Sequence, residues 1–495
     1  MTTTLQRRQI VARPVWILTA IVGVTMLVTS AGFYYTSDEL YFLSAGKHLS
    51  WGYADQPPLV PFLAHLADSL FPDSLVALRL PSTIAVTAGV FVTAVIAREF
   101  GGRGRAQLLA AACYAISPLL LSDGHHLDTT SIDWCLWTVA TWLVVRWVRT
   151  RDDRLWLALG VVTGFDLQDK YLILFFWAAI AAGVLIAGPR AMFARPLVWV
   201  AALIAVAMAV PSLLWQAHNG WPQLAMGSVL SDEAGDLGGR YTFLPYVFIY
   251  AGIAGGVLFC YGLWRLLRAE ELRPYRFLGW ASVVLIVGLL VVQQQPYYVA
   301  GLYAAGWAAA ATRAEQGPLP RGLNWSRTWP ALVISALVVV RGILPFPPDP
   351  LFVDSYVVNN VNDDFPKVVD TVAAAYREMA PSERSHTVVM ANASGYAGAL
   401  DQFGPRVGLP PVYSVERGSW YFGAPPDSAT SVLYVGDPPD AVRAEFAQVR
   451  QVATYTDQLA LAMHPRKAEV PVYLCSGLRD PWSRIWPDLR RLDQI

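Results

Sequence analysis

Long apolar runs separated by arginine-bearing connections constrain this chain more than any other feature. The first run, residues 15–33, carries no charge and is close to the ~20 residues that a helix needs to cross the hydrocarbon core of a bilayer. Ten more follow, at residues 80–97, 106–121, 132–148, 155–165, 171–187, 197–215, 243–263, 277–292, 299–311 and 329–344. Lipid offers no partner to backbone N–H and C=O groups, so segments of this kind must pair their own backbone as helices. The runs therefore predict a polytopic α-helical membrane protein with about eleven transmembrane helices. Composition excludes the main rivals: 55% of residues are hydrophobic and only 15% charged, too few to clothe a soluble protein. The 37 basic residues are matched by 37 acidic ones, which leaves no basic surplus for nucleic acid. Cys113, Cys135 and Cys260 lie inside apolar runs and Cys475 stands alone, so neither a disulfide framework nor a zinc spacing is present.

Arginine sets the expected orientation. Arg7, Arg8 and Arg13, then Arg98, Arg103 and Arg105, then Arg146, Arg149, Arg151 and Arg154 fall in alternate connections, and later arginines continue the alternation. The positive-inside rule places those connections and the amino terminus in the cytoplasm, with the first run an uncleaved anchor in the cell membrane. An odd number of spans sends the carboxyl-terminal part outside. The opposite, outer connections then collect Asp38, Glu39 and Lys47; His125, His126, Asp128 and Asp133; Asp166, Asp169 and Lys170; Gln216 and His218; and Tyr297 and Tyr298. Runs 155–165 and 299–311 are short. Short helices flanking Asp169 and Lys170 point to spans that stop part-way, which is tolerated where backbone lines a protein cavity.

Within residues 1–344, the expected membrane domain, the first outer loop (37–79) is unusually long. Its segments 39–49 and 59–70 mix Leu, Phe and Trp with polar residues, as short helices lying in the interface do. Gln56-Pro57-Pro58 breaks them apart. The second outer loop offers two imidazoles and three carboxylates between Ser122 and Asp133, a set that can bind a divalent metal or act as hydrogen-bond partners. Asp133 opens an apolar helix, where a carboxylate serves as a cap or lines a pocket. It ranks above Asp128, which is expected mid-loop, because rigid elements hold a site better than loops.

Residues 345–495 read differently. Short apolar runs at 387–390, 432–435 and 470–475 alternate with helical patterns at 365–379 and 441–449, as in a small extracytoplasmic α/β domain. Pro345, Pro347, Pro348 and Pro350 make a stiff linker into it. The aromatic loop 418–426 suits capping a site, contacting sugar or plain packing.

Four stretches carry a family resemblance: Ser37-Asp-Glu-Leu-Tyr-Phe, Trp51-Gly-Tyr-Ala-Asp-Gln-Pro-Pro-Leu, Trp215-Gln-Ala-His-Asn-Gly-Trp-Pro and Pro296-Tyr-Tyr. With an acidic pair directly after the first span and a long amphipathic outer loop, the chain resembles the GT-C membrane glycosyltransferases. Over about residues 15–312 it is similar to glycosyltransferase family 39, the branch with protein O-mannosyltransferases and the lipid A aminoarabinose transferase. The resemblance implies a polyprenyl-phosphate-linked sugar donor and an extracytoplasmic acceptor, which could be protein Ser/Thr, cell-wall polysaccharide or glycolipid. It implies Asp38 as general base and Glu39 as its orienting or acceptor-binding neighbour. Lys170 or Lys47 would meet the lipid phosphate, or form a salt bridge instead. His125, His126, Asp128, Asp133, Gln216, His218, Tyr297 and Tyr298 are the further substrate-binding candidates. The rival classes are a membrane transporter or flippase and a non-catalytic envelope assembly protein. A transporter of the common kind would show two related halves, and no internal repeat is visible in the sequence.

Overall fold

The computed structural model describes residues 11–32, 34–236, 238–344, 365–392, 394–456 and 469–493; the proline linker lies outside them. Helix α1 (Arg13–Thr29) is followed by α2 (Ser37–Lys47) and α3 (Leu59–Leu70), two short helices in the long loop at 37–79. Then come α4 (Leu75–Glu99), α5 (Gly104–Ala115), α6 (Pro118–Asp123) and α7 (Thr129–Thr150). The third apolar run is thus split in two. Ser117 caps α6 by accepting from the Leu120 N–H, and Pro118 takes the first helical position, where its missing donor costs nothing.

Helices α8 (Leu155–Asp166), α9 (Ile173–Ala187) and α10 (Pro196–His218) precede α11 (Pro222–Asp236), a helix in a stretch that the hydropathy pattern left as loop. The run at 243–263 becomes α12 (Gly239–Tyr250) and α13 (Ile253–Arg268), bent by 104°. Gly252 makes the break at φ +82°, a backbone state open to glycine at little cost. Helices α14 (Arg276–Val291), α15 (Tyr303–Gln316) and α16 (Trp329–Ile343) complete the series. The apolar runs become helices of unequal length. Among the described residues four are long and apolar enough to cross a membrane, Arg13–Gly32, Leu75–Glu99, Pro196–His218 and Glu270–Val291, and the bent pair makes a fifth if it is one span.

The chain divides into two compact units. One draws on Met1–Gly32, Leu78–Leu214 and Leu230–Val357; the other on Phe33–Ala77, Trp215–Val229 and Val358–Ile495. The division departs from a single cut at 344/345, because the first outer loop packs with the carboxyl-terminal residues. In the first unit, small residues let helices approach closely, as packing in lipid favours. A side chain on Gly262 of α13 would run into the Gly306 carbonyl of α15, and one on Gly183 of α9 into the Phe277 carbonyl of α14. Trp307 of α15, fully buried, donates its indole N–H to the Gly255 carbonyl at 2.8 Å.

In the second unit a five-stranded sheet has the order β2-β1-β3-β5-β4, from β1 (Thr387–Ala391), β2 (Val412–Tyr413), β3 (Ser431–Val435), β4 (Phe446–Thr456) and β5 (Glu469–Leu478). Strands β2, β1 and β3 are parallel, and β5 and β4 add antiparallel. The helical pattern expected at 441–449 is overturned. Only Asp440–Ala444 is helical, and Phe446 onward joins β5 across a register shift at Gln451/Ala453. Pairing with a distant strand outweighed a local apolar spacing that fits a helix face equally well. Helix Ser394–Phe403 packs on α2 at Gly398, where an added Cβ would meet the Leu40 backbone at 2.5 Å.

Gly262→Leu is expected to destabilise the protein severely, by the overpacking cost of about 1–3 kcal/mol or more. Gly288→Ala, with open space around it, should melt within about 0.5 kcal/mol of wild type. Thermal unfolding in detergent compares them, and equal melting would refute close α13–α15 packing.

Candidate active site

The acidic pair sits in the first turn of α2. Thr36 caps the helix by accepting from the Glu39 N–H at 3.2 Å, and the Glu39 carboxylate returns the bond to the Thr36 N–H at 3.0 Å. This reciprocal cap places Glu39 in the interior, fully buried, and leaves Asp38 exposed beside it. Of the two acids, Asp38 is the one that a substrate can reach.

Around that turn the second unit gathers groups distant in sequence. Tyr41 donates its hydroxyl to Asp55 at 2.8 Å. Burial raises the Asp55 carboxyl above the ordinary range, Arg417 and the Tyr41 hydroxyl pull it back, and the Asp38 charge pushes it up. Asp38, Asp55 and Arg417 are therefore in electrostatic reach of one another. Arg417 has φ +44°, the left-handed region that non-glycine residues seldom occupy. Its N–H donates to the Arg491 carbonyl at 2.7 Å. A Cβ on Gly418 would collide with the Tyr41 hydroxyl, so glycine there permits the approach. Sequence reasoning missed Arg417 altogether: nothing local distinguishes it from a surface arginine.

Three other candidates lie in the same unit. Lys47, in the last turn of α2, pairs with Asp401 at 3.0 Å and donates to its carbonyl at 2.9 Å. Gln216 is buried, donating to the Tyr53 carbonyl at 2.8 Å and accepting from the Gln223 N–H at 3.2 Å, so its amide holds backbone. His218 is exposed near the end of α10.

The first unit brings the remaining candidates together. Asp128, expected mid-loop, is instead the N-cap of α7 and accepts from the Ser131 N–H at 2.9 Å. Asp133 lies further along α7, past the cap, and is buried. The mid-loop placement of Asp128 is thus corrected: the helix begins four residues before Asp133, so both acids are held by α7. Asp166, at the end of α8, is buried as well, and neither of its carboxylate oxygens has a hydrogen-bond partner among the described residues. Asp169, in the turn after α8, is buried too; that burial drives its carboxyl well up, and Asp133 adds to the effect. Lys170 donates to Thr130 at 3.2 Å and lies over the rings of Tyr297 and Tyr298, 5.6 and 5.3 Å from their centroids. Asp166 and Asp169 were visible in the sequence as acids beside apolar runs, the signal that marks intramembrane function.

His125 is held by its neighbours, Nδ1 on the Leu121 carbonyl and Nε2 on Thr29 Oγ1, both at 2.9 Å. His126 faces Asp128 at 3.7 Å. Donor atoms of Asp123, His126 and Asp128 lie within 4.8 Å of one another, a set of two carboxylates and an imidazole that fits a divalent ion after small adjustments. Arg79, fully buried in α4, donates to the Ser30 carbonyl and is a second cation that the sequence reading did not select.

Comparison with known proteins follows this geometry. Residues 55–215 match the family described as dolichyl-phosphate-mannose-protein mannosyltransferase. The crystal structure of ArnT from Cupriavidus metallidurans bound to undecaprenyl phosphate superposes with TM-score 0.61 over 94% of this chain and 98% of that one, at 14% identity. The chain shares the fold of that structure over nearly its whole length. The apo state of the same ArnT agrees, with TM-score 0.61, 13% identity and coverage of 93% and 97%. The Archaeoglobus fulgidus oligosaccharyltransferase matches more distantly, with TM-score 0.44, 12% identity, and 78% of this chain on 63% of that one. A search of curated proteins gave no match.

Because Asp128 caps α7, Asp128→Ser should keep most of the stability and Asp128→Ala should lose about 1 kcal/mol. Thermal melts of the two variants decide this, and identical midpoints would remove the cap as the role of Asp128.

Proposed function

We propose that this protein is an integral membrane glycosyltransferase of the GT-C class that moves a monosaccharide from a polyprenyl-phosphate-linked donor to an extracytoplasmic acceptor. The observation that carries the reading is the exposed Asp38 carboxylate, set on a rigid first helical turn next to Asp55, Tyr41 and the Arg417 loop. The matched mannosyltransferase family and the undecaprenyl phosphate bound to ArnT support a lipid-phosphate donor.

In this mechanism an acceptor hydroxyl gives its proton to Asp38 as its oxygen attacks the anomeric carbon. The bond between that carbon and the phosphate oxygen breaks, and the electron pair leaves with the lipid phosphate. Glu39 acts through the cap, fixing the direction in which Asp38 points. Lys47 is held by Asp401, and Lys170 is the other lysine that the sequence offers for the phosphate. A divalent ion held by Asp123, His126 and Asp128 would supply further positive charge for the leaving group. Tyr297 and Tyr298 keep the Lys170 ammonium over their faces.

Asp38→Asn keeps the shape and removes the proton acceptor, so transfer should fall by roughly 10²- to 10⁴-fold with folding unchanged. Near-normal turnover of the folded variant sinks the assignment. For orientation, we place the sheet-bearing residues outside the cell membrane and the Arg151 connection in the cytoplasm, as the arginine distribution supports. In a Cys260→Ser background, an impermeant thiol reagent added to intact cells should label cysteine at Glu378 and spare cysteine at Arg151. The opposite pattern inverts the topology.

A further inference from the structure

Outside the acidic turn, the second unit contains a cavity of about 270 Å³ that the mechanism above does not use. It is lined by the carboxyl-terminal part of α2 (Ser44) and the adjoining His48, by helix Ser394–Phe403 (Ala397, Asp401), by the strand and loop around Tyr413, and by the aromatic turn through Ser419 and Phe422. These segments are far apart in sequence, so only the folded unit forms the cavity.

Its chemistry is specific. The His48 and Phe422 rings stack with centroids 4.6 Å apart and planes 3° from parallel, a rigid aromatic slab in the wall. Gly423, at φ +124°, makes the turn that follows Phe422. The His48 Nδ1 is 3.1 Å from the Ser44 carbonyl; a carbonyl can only accept, so Nδ1 carries the proton and Nε2 is the accepting nitrogen. Asp401 offers its Oδ2 to Lys47 at 3.0 Å, which leaves Oδ1 as a second acceptor on a carboxylate already held in place. Ser44, Tyr413, Ser414 and Ser419 are also among the lining residues, and a hydroxyl can both donate and accept.

A purely apolar ligand would strip water from all of these groups without replacing the bonds. A phosphate would find the nearest ammonium, Lys47, already engaged by Asp401. A neutral ring bearing several hydroxyls on one side and C–H bonds on the other satisfies both the polar groups and the aromatic wall. The volume falls below the roughly 300–1,000 Å³ of sites for drug-sized molecules, which suits one sugar ring better than a chain.

We propose that this cavity is a carbohydrate-binding subsite that holds one sugar ring of the acceptor, Asp401 and His48 accepting from its hydroxyls and Phe422 walling its apolar side. The inference rests on the transferase reading for the word acceptor; binding of a sugar there does not depend on it. It narrows the acceptor to a molecule that already carries carbohydrate, a cell-wall polysaccharide or a glycolipid, in preference to bare protein Ser/Thr.

The test uses the full-length protein in detergent, with methyl α-D-mannopyranoside and methyl α-D-arabinofuranoside as probes in saturation-transfer NMR. At least one glycoside should give a signal in the wild type. Asp401→Asn, which loses a charged acceptor, should weaken it about tenfold. Ala424→Trp fills the cavity from an exposed position and should abolish it, with the melting temperature of each variant as the check on folding. No signal from either probe in the wild type, or equal signals from the wild type and a folded Ala424→Trp protein, overturns the subsite. Transfer activity is measured separately: activity without glycoside binding removes the subsite and leaves the enzyme, whereas binding that Ala424→Trp abolishes, in a protein with no transfer, keeps the subsite and removes the transferase reading.

Discussion

The reciprocal hydrogen bonds between Thr36 and Glu39 fix the start of α2, and much of the second unit takes its position from that helix. Once the first turn is set, Asp38 faces outward, Tyr41 reaches Asp55 three residues on, and Ser44, Lys47 and His48 follow along the same eleven-residue helix and its cap. Gly398 allows helix Ser394–Phe403 to lie against the α2 backbone, and Gly418 allows the aromatic turn to approach Tyr41. Two glycines far down the chain therefore serve the geometry of residues near its beginning. One acid of the pair supplies structure and leaves the other exposed.

The first unit solves a different problem. Charged groups buried among apolar helices are costly unless each is engaged. Lys170 is engaged by Thr130 and two tyrosine rings, Asp128 by the first turn of α7, and Arg79 by the Ser30 carbonyl, whereas the carboxylate oxygens of Asp166 and Asp169 have no hydrogen-bond partner among the described residues.

Similarity at 14% identity over nearly the whole of both chains establishes architecture and leaves specificity to the side chains. In the second unit the side chains build two distinct places: the capped turn that carries Asp38, which we propose removes a proton, and the mixed polar and aromatic cavity that we propose holds a sugar ring. A transferase acting on a glycan needs both functions, one for the reacting hydroxyl and one for the rest of the acceptor.

The membrane class, the unusual first outer loop, helix α3 at residues 59–70, and the acids and tyrosines worth watching could all be read from the sequence. Each depends on local properties: hydropathy over a bilayer thickness, proline at a break, and charge beside an apolar run. Tertiary contacts decided the rest. The bend at Gly252, the split at Ser117-Pro118, and the strand at Phe446–Thr456 depend on partners distant in sequence. The capping role of Asp128 turned on a helix boundary, which a periodic pattern locates only to within a few residues. Arg417 beside Asp55, and the cavity shared by α2 and the carboxyl-terminal residues, join segments more than three hundred positions apart. No one-dimensional pattern encodes such a meeting, because it arises from the packing of whole elements and the few glycines that let them come close.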